Sequence, residues 1–138
     1  MAEDKAQKII ALCETHWAAH KRDCSGFVKS VADELGIPLS GQANAMVDQI
    51  QRAPWKVLAN GREAQRHAAL GDLVIAGLKA NPHGHVVIVV DGPLSQGKYP
   101  TAYWGSLGGV GKKNTTLNWS WNATDRDRVI YASWAWQQ

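Results

Sequence analysis

Apolar residues follow two different spacings in the two halves of the chain. In the N-terminal half they recur every three or four residues, and the clearest stretch is Phe27, Val28, Val31 and Leu35. Gly36 and Pro38 follow it as stop signals, which predicts one helix over residues 24–35. In the C-terminal half they form short β-branched runs such as Val86-Val87-Ile88-Val89-Val90, which are typical of buried strands.

The same two spacings predict the remaining elements. Helices are predicted at about residues 4–19, 24–35, 44–52 and 62–70. Strands are predicted at about residues 72–76, 85–90, 101–106, 118–121 and 128–136. Helices followed by a run of strands indicate an α+β fold in which N-terminal helices pack on a C-terminal antiparallel sheet. No repeat or change of composition divides the chain, so residues 1–138 are expected to form a single domain.

Composition excludes several classes of protein. No stretch approaches the ~20 apolar residues that span a bilayer, so no membrane insertion is expected. The segment Met1-Ala2-Glu3-Asp4-Lys5 is charged and leads into a predicted helix, so no secretory signal peptide is expected. The net charge is only +3 and the basic residues are scattered rather than interleaved with aromatic residues, which argues against nucleic-acid binding.

Cys24 stands in the first turn of the predicted 24–35 helix, with Asp23 as its N-cap. Unpaired backbone N–H groups and the helix dipole favour the thiolate there, so the thiol is expected to have a lowered pKa. Cys24 also shares the inward face with Val28 and Val31. Cys13, in contrast, lies in the middle of the first predicted helix and has the spacing of an ordinary core residue.

His85 begins the apolar run of residues 86–90. On spacing alone, a neutral histidine that caps the strand is as good an interpretation as a catalytic base. If the fold brings the imidazole to Cys24, the two side chains form the nucleophile and base of a cysteine hydrolase.

Three motifs, in this order, resemble the signature of the NlpC-type, papain-like cell-wall amidases. They are Asp23-Cys24-Ser25-Gly26-Phe27-Val28, then Gly71-Asp72-Leu73-Val74, then Gly84-His85-Val86. Further segments are similar to the first family of amidase effectors of bacterial type VI secretion. These are Gly41-Gln42-Ala43-Asn44-Ala45-Met46-Val47-Asp48, Leu73-Val74-Ile75-Ala76-Gly77-Leu78-Lys79, Gly92-Pro93-Leu94, Lys98-Tyr99-Pro100 and Thr124-Asp125-Arg126-Asp127-Arg128.

The resemblance implies an enzyme that hydrolyses the γ-D-glutamyl–meso-diaminopimelate bond of peptidoglycan stem peptides, with Cys24 and His85 as catalytic residues and no cofactor. It also implies an antibacterial effector, made in the cytoplasm and delivered by type VI secretion machinery to the periplasm of target bacteria. A cognate immunity protein is then expected to occlude the cleft, on rim loops near residues 42–44 and 105–114.

One position departs from the NlpC-type pattern. The place before Gly105-Ser106, where a third polar residue usually orients the catalytic imidazole, is held by Trp104. An indole N–H is only a donor and cannot accept the imidazole proton. We therefore expect a Cys–His dyad that is oriented by a backbone carbonyl, a water or another side chain, with Asp23, Ser25 and Trp104 as supporting residues.

Three alternatives use other features of the chain. Seven tryptophans, among them the alternating Trp119 and Trp121, would suit a non-catalytic module that binds peptidoglycan or sugars. Four histidines pair by spacing, His16 with His20 and His83 with His85, but they lack carboxylates at ligand spacing, so no metal is expected. The glycine-rich residues 105–114 lack the ending of a phosphate loop and are interpreted as a mobile flap or linker beside the cleft.

Overall fold

The computed structural model describes residues 2–137 and contains a mixed α+β fold. Its α-helices are α1 (Ala2–His20), α2 (Cys24–Glu34), α3 (Ala43–Gln49) and α4 (Gly61–Ala69). Its strands are β1 (Lys56–Leu58), β2 (Leu73–Leu78), β3 (His85–Val89), β4 (Thr101–Trp104), β5 (Lys112–Thr116) and β6 (Ile130–Trp134). A short 3₁₀ helix, Leu117–Trp119, follows β5. The α+β class predicted from the order of helices and strands is confirmed.

The six strands form one antiparallel sheet in the order β1-β6-β2-β3-β4-β5. Side chains of β2 and β3 are buried on both faces of this sheet. The helices α1, α2 and α3 cover one face, where residues such as Phe27 and Met46 pack with Ile88. The helix α4 covers the other face through Ala64 and Ala68. The helices therefore cover both faces of the sheet.

Two edge strands were not predicted, and one predicted strand is wrong. The strand β1 is only three residues long, and β5 reads Lys-Lys-Asn-Thr-Thr, so neither carries a pattern of alternating apolar residues. Both strands are held by backbone hydrogen bonds to a neighbouring strand, and such bonds place few requirements on the type of side chain. Residues 118–121, predicted as a strand from the alternation of Trp119 and Trp121, instead overlap the 3₁₀ helix and the turn after it.

The helix α2 begins as its sequence predicts. The Asp23 side chain accepts a hydrogen bond from the backbone N–H of Gly26 at 3.1 Å, which confirms Asp23 as the N-cap. Phe27, Val28 and Val31 are fully buried, so their face fixes the helix against the sheet. The first residue of α2, Cys24, is thereby held at the start of β3.

Candidate active site

Cys24 and His85 line the same cavity, which has a volume of about 470 Å³. They come from elements far apart in the chain, because Cys24 opens α2 and His85 opens β3. In the β2–β3 hairpin His85 pairs with Leu78, the last residue of β2, so it stands at the loop end of the hairpin. The fold thus brings together the two side chains that the motifs singled out.

A second cavity of about 300 Å³ adjoins the first and is also lined by Cys24. The two cavities share further wall residues, among them Pro82, Gly84 and Leu107. Asp23, Ser25 and residues 42–44 line only the second cavity, whereas His85 lines only the first. The thiol therefore lies at the junction of a two-part groove, with space for a chain on either side of it.

Burial raises the pKa of the Cys24 thiol above its ordinary value of 9.0, and the nearby Asp23 carboxylate raises it further. The backbone N–H groups of Val86, Ser25 and Cys24 itself oppose this by lowering the pKa, but they do not outweigh the burial. The expectation that the helix N-terminus lowers the thiol pKa is therefore wrong in its net result. The contribution of Val86 also shows that the sulfur lies against the residue that follows His85.

His85 is largely withdrawn from solvent, and this burial lowers the pKa of its imidazole from 6.5 to about 4. The ring is therefore neutral at pH 7. Its Nε2 atom lies 2.5 Å from the hydroxyl oxygen of Ser120. The edge of the Trp121 ring meets the imidazole with a centroid distance of 5.0 Å and an interplanar angle of 67°. At neutral pH the resting pair is thus an uncharged thiol and an uncharged imidazole.

The three supporting residues named from the sequence have different positions. Asp23 caps α2, and the Ser25 hydroxyl donates to the Asp23 carboxylate at 3.2 Å, so Ser25 strengthens the cap. Trp104 is buried and lines the larger cavity. Its carbonyl accepts the indole N–H of Trp17 at 3.0 Å. The side chain within hydrogen-bonding distance of the imidazole is Ser120, which sequence reasoning missed.

Nothing in the local sequence singles out Ser120. It stands between two tryptophans in a segment that imitates a strand, and no recognised motif includes it. Only the path of the chain through β5 and the 3₁₀ helix brings it back to the start of β3. The pairing of Thr101 with Thr116 in β4 and β5 sets that path.

The glycine-rich segment lies beside the larger cavity, as predicted, but it is shorter than expected, because residues 112–114 belong to β5. The two ends of this segment are hydrogen-bonded to the turn between α1 and α2. The backbone N–H groups of Ser106 and Gly111 both donate to the Lys21 carbonyl, at 3.1 and 2.7 Å. Three exposed apolar side chains lie on the rim of this cavity: Leu107, Val110 and Trp119.

The four paired histidines do not converge. His16 bonds Glu34 at 2.9 Å, whereas His85 bonds Ser120. Among residues 2–137, no group of three or more histidine, cysteine or acidic side chains has the arrangement of a metal site. In the same part of the chain no helix combines the length and the apolar character needed to cross a membrane.

Comparison with known proteins agrees with this geometry. The model of the NlpC/P60 family matches residues 14–115, a segment that includes Cys24, His85 and Trp104 and ends before Ser120. The chain is 46% identical over 136 residues to the peptidoglycan amidase Tse1 of Pseudomonas aeruginosa PAO1, covering 91% of this chain and 88% of that protein. The resemblance stated from the motifs is confirmed, and with it the papain-like fold class. The chain belongs to the NlpC/P60 family.

Proposed function

We propose that this protein is a cysteine amidase that cleaves the stem peptides of peptidoglycan. The observation that carries the proposal is that Cys24 and His85, on separate elements, line one cavity in an NlpC/P60 chain. The similarity to a protein named as a peptidoglycan amidase supports the substrate class. Residues 1–138 are proposed to act as one catalytic domain.

The chemistry starts from the neutral pair. His85 takes the thiol proton as the Cys24 sulfur attacks the amide carbonyl, which forms a tetrahedral intermediate. The Val86 N–H, which favours the ionised sulfur, supports the developing thiolate. The backbone N–H of Cys24 is proposed as one donor to the oxyanion. Protonated His85 then gives its proton to the departing amine, and water hydrolyses the resulting thioester.

The bond proposed for cleavage is the one between γ-D-glutamate and meso-diaminopimelate. A groove with Cys24 at its centre suits an endopeptidase, because the substrate must continue on both sides of the scissile bond. The cavities of about 470 and 300 Å³ on the two sides of the thiol provide that space.

The proposed biological role is that of a type VI secretion effector that acts on the peptidoglycan of a target cell, in the periplasm. A cognate immunity protein would protect the producer by filling the groove. The rim loops expected to contact it do line the groove: residues 42–44 line the smaller cavity, and Ser106, Leu107 and Val110 line the larger. An acidic inhibitor surface is expected, because this chain carries a net charge of +3.

The second candidate is a non-catalytic module that binds the cell wall through tryptophans. One observation favours it, namely that Trp119 is 71% exposed at the cavity rim. The other half of the expected pair, Trp121, instead packs against His85. A binding module has no use for an imidazole held beside a buried thiol, so the amidase is preferred.

Purified muropeptides and mass spectrometry of the products test the proposal. The wild-type protein is expected to split tetrapeptide muropeptides between D-glutamate and diaminopimelate, and Cys24→Ala is expected to leave them intact. Cleavage at another amide bond would preserve the amidase but refute the assigned bond. Full cleavage by Cys24→Ala would refute the cysteine mechanism.

A further inference from the structure

The imidazole of His85 is held by a residue outside the segment that matches the NlpC/P60 family. Its Nε2 atom is 2.5 Å from the Ser120 hydroxyl oxygen, a distance at the short end of hydrogen bonds. The family match ends at residue 115, so neither Ser120 nor Trp121 belongs to the matched segment. The contact is therefore a feature of this chain beyond its family motifs.

Ser120 is fixed by the sheet. Its backbone N–H donates to the Leu117 carbonyl at 2.8 Å, which closes the 3₁₀ helix. Leu117 is fully buried, and its own N–H donates to the Pro100 carbonyl at 2.9 Å, just before β4. The hydroxyl is thus presented to His85 from a short anchored turn.

The contact decides which ring nitrogen is available to the thiol. A neutral imidazole carries one N–H, so one nitrogen donates and the other accepts. If Nε2 donates its hydrogen to the Ser120 oxygen, Nδ1 is the nitrogen that can take the Cys24 proton. In the opposite tautomer Nδ1 carries the hydrogen and cannot take the Cys24 proton.

Trp104, at the place of the usual third polar residue, does not supply this contact. Its carbonyl accepts the indole N–H of Trp17, and its own indole has no acceptor atom. Trp121 adds a restraint of a different kind, since the edge of its ring meets the imidazole at a centroid distance of 5.0 Å. The imidazole thus has a hydrogen-bond partner in Ser120 and an edge contact with Trp121.

We propose that Ser120 is the positioning residue of this amidase, and that its hydroxyl oxygen accepts the Nε2–H of His85 and leaves Nδ1 as the base for Cys24. The inference rests on the proposed function. A serine after the 3₁₀ helix thus takes the orienting role that, in the NlpC-type pattern, belongs to a polar residue on the strand after the histidine.

Ser120→Ala, Ser120→Thr and the control Ser95→Ala test the inference. Ser95 lines neither cavity of the groove. Ser120→Ala is expected to lower kcat roughly tenfold to a hundredfold and to change KM little, because substrate contacts remain. Ser120→Thr keeps a hydroxyl and is expected to stay within a few-fold of wild type, as is Ser95→Ala.

Nitrogen NMR of the histidines gives a readout that a purely structural role would not move. His85, assigned with a His85→Gln variant, is expected to be mainly the Nε2–H tautomer in the wild type and a mixture in Ser120→Ala. An unchanged kcat or an unchanged tautomer in a folded Ser120→Ala protein would overturn the inference. If the wild type cleaves no muropeptide, the proposed function fails, while the NMR measurement still tests the contact between Ser120 and His85.

Discussion

The indole N–H of Trp17 donates a hydrogen bond to the backbone carbonyl of Trp104 at 3.0 Å, and so joins the end of α1 to the end of β4. The chain continues from Trp104 into Gly105, whose α-carbon lies close to the backbone of the α1–α2 turn. A β-carbon added at Gly105 would collide with the His20 carbonyl oxygen. One wall of the groove thus depends on close packing of two backbones.

Gly105→Ala is expected to destabilise the protein and to displace the loop beside the groove. Neither the His20 backbone nor β4 can yield easily, so we expect a loss of about 2 kcal/mol or more. Gly109→Ala in the same loop is the matched control. Its β-carbon would find only the Ser106 hydroxyl oxygen at 3.7 Å, and its cost is expected within about 0.5 kcal/mol. Denaturant unfolding of both variants measures the difference, and equal stability of the two would contradict the packing argument.

Cys24 and His85 are expected to act as one unit in catalysis. Cys24→Ala and His85→Ala should each reduce turnover of a tetrapeptide muropeptide by roughly 10³-fold or more, and the double variant should be no worse than either. Cys13→Ala serves as the control. Cys13 is fully buried in the core, so its loss is expected to cost about 1 to 2 kcal/mol of stability and to leave turnover largely intact. Losses that add in the double variant would mean that the two residues act independently.

The raised pKa of Cys24 predicts how the thiol reacts with alkylating agents. Because the resting thiol is protonated at pH 7, the rate of labelling by iodoacetamide should keep rising with pH up to and beyond 9. A thiolate–imidazolium pair would instead give a plateau below pH 7, and that profile would refute the neutral resting state. Labelling should map to Cys24, because Cys13 is fully buried. Excess EDTA should leave the enzymatic activity unchanged, because no metal is expected in the site.

The lowered pKa of His85 predicts a loss of stability in mild acid. The imidazole titrates near 4 in the folded protein and near 6.5 when unfolded, so between these values the unfolded state binds more protons. The free energy of unfolding should therefore fall as pH drops from 6.5 to 4, by up to about 3 kcal/mol. His85→Gln removes this contribution. The stability of the wild type relative to His85→Gln should be constant above pH 7 and decline below 6.5, and an unchanged difference down to pH 4 would refute the shifted pKa.

Trp119→Ala is expected to change binding rather than folding. With 71% of its surface exposed, the side chain adds little to the core, so the stability should change by less than about 0.5 kcal/mol. If the ring stacks on the substrate at the groove rim, KM should rise a few-fold at unchanged kcat, and affinity for purified sacculi should fall in parallel. Unaltered KM and sacculus binding would remove Trp119 from the list of substrate contacts.

Sequence patterns predicted the helices and strands that are determined by neighbouring residues in the chain, through caps, stop signals and the spacing of apolar side chains. Asp23, Gly36 and the apolar face of α2 set a helix whose position could be read directly, and the β-branched run after His85 set a central strand. The edge strands were missed because backbone pairing, not side-chain burial, defines them. The contact of Ser120 with His85 was missed for a related reason, since it depends on the path of the chain through β5 and the 3₁₀ helix. The direction of the Cys24 pKa shift required knowledge of burial, which competes with the helix dipole.

The two strands at the ends of the sheet determine how the protein behaves toward copies of itself. An exposed strand edge offers free backbone N–H and C=O groups to any other strand, which is a common route to aggregation. Here one end is the three-residue β1, which starts with Lys56, and the other is β5, which starts with Lys112 and Lys113. A short edge and a positively charged edge both oppose strand pairing between molecules. We therefore expect the folded chain to resist edge-to-edge association in concentrated solution.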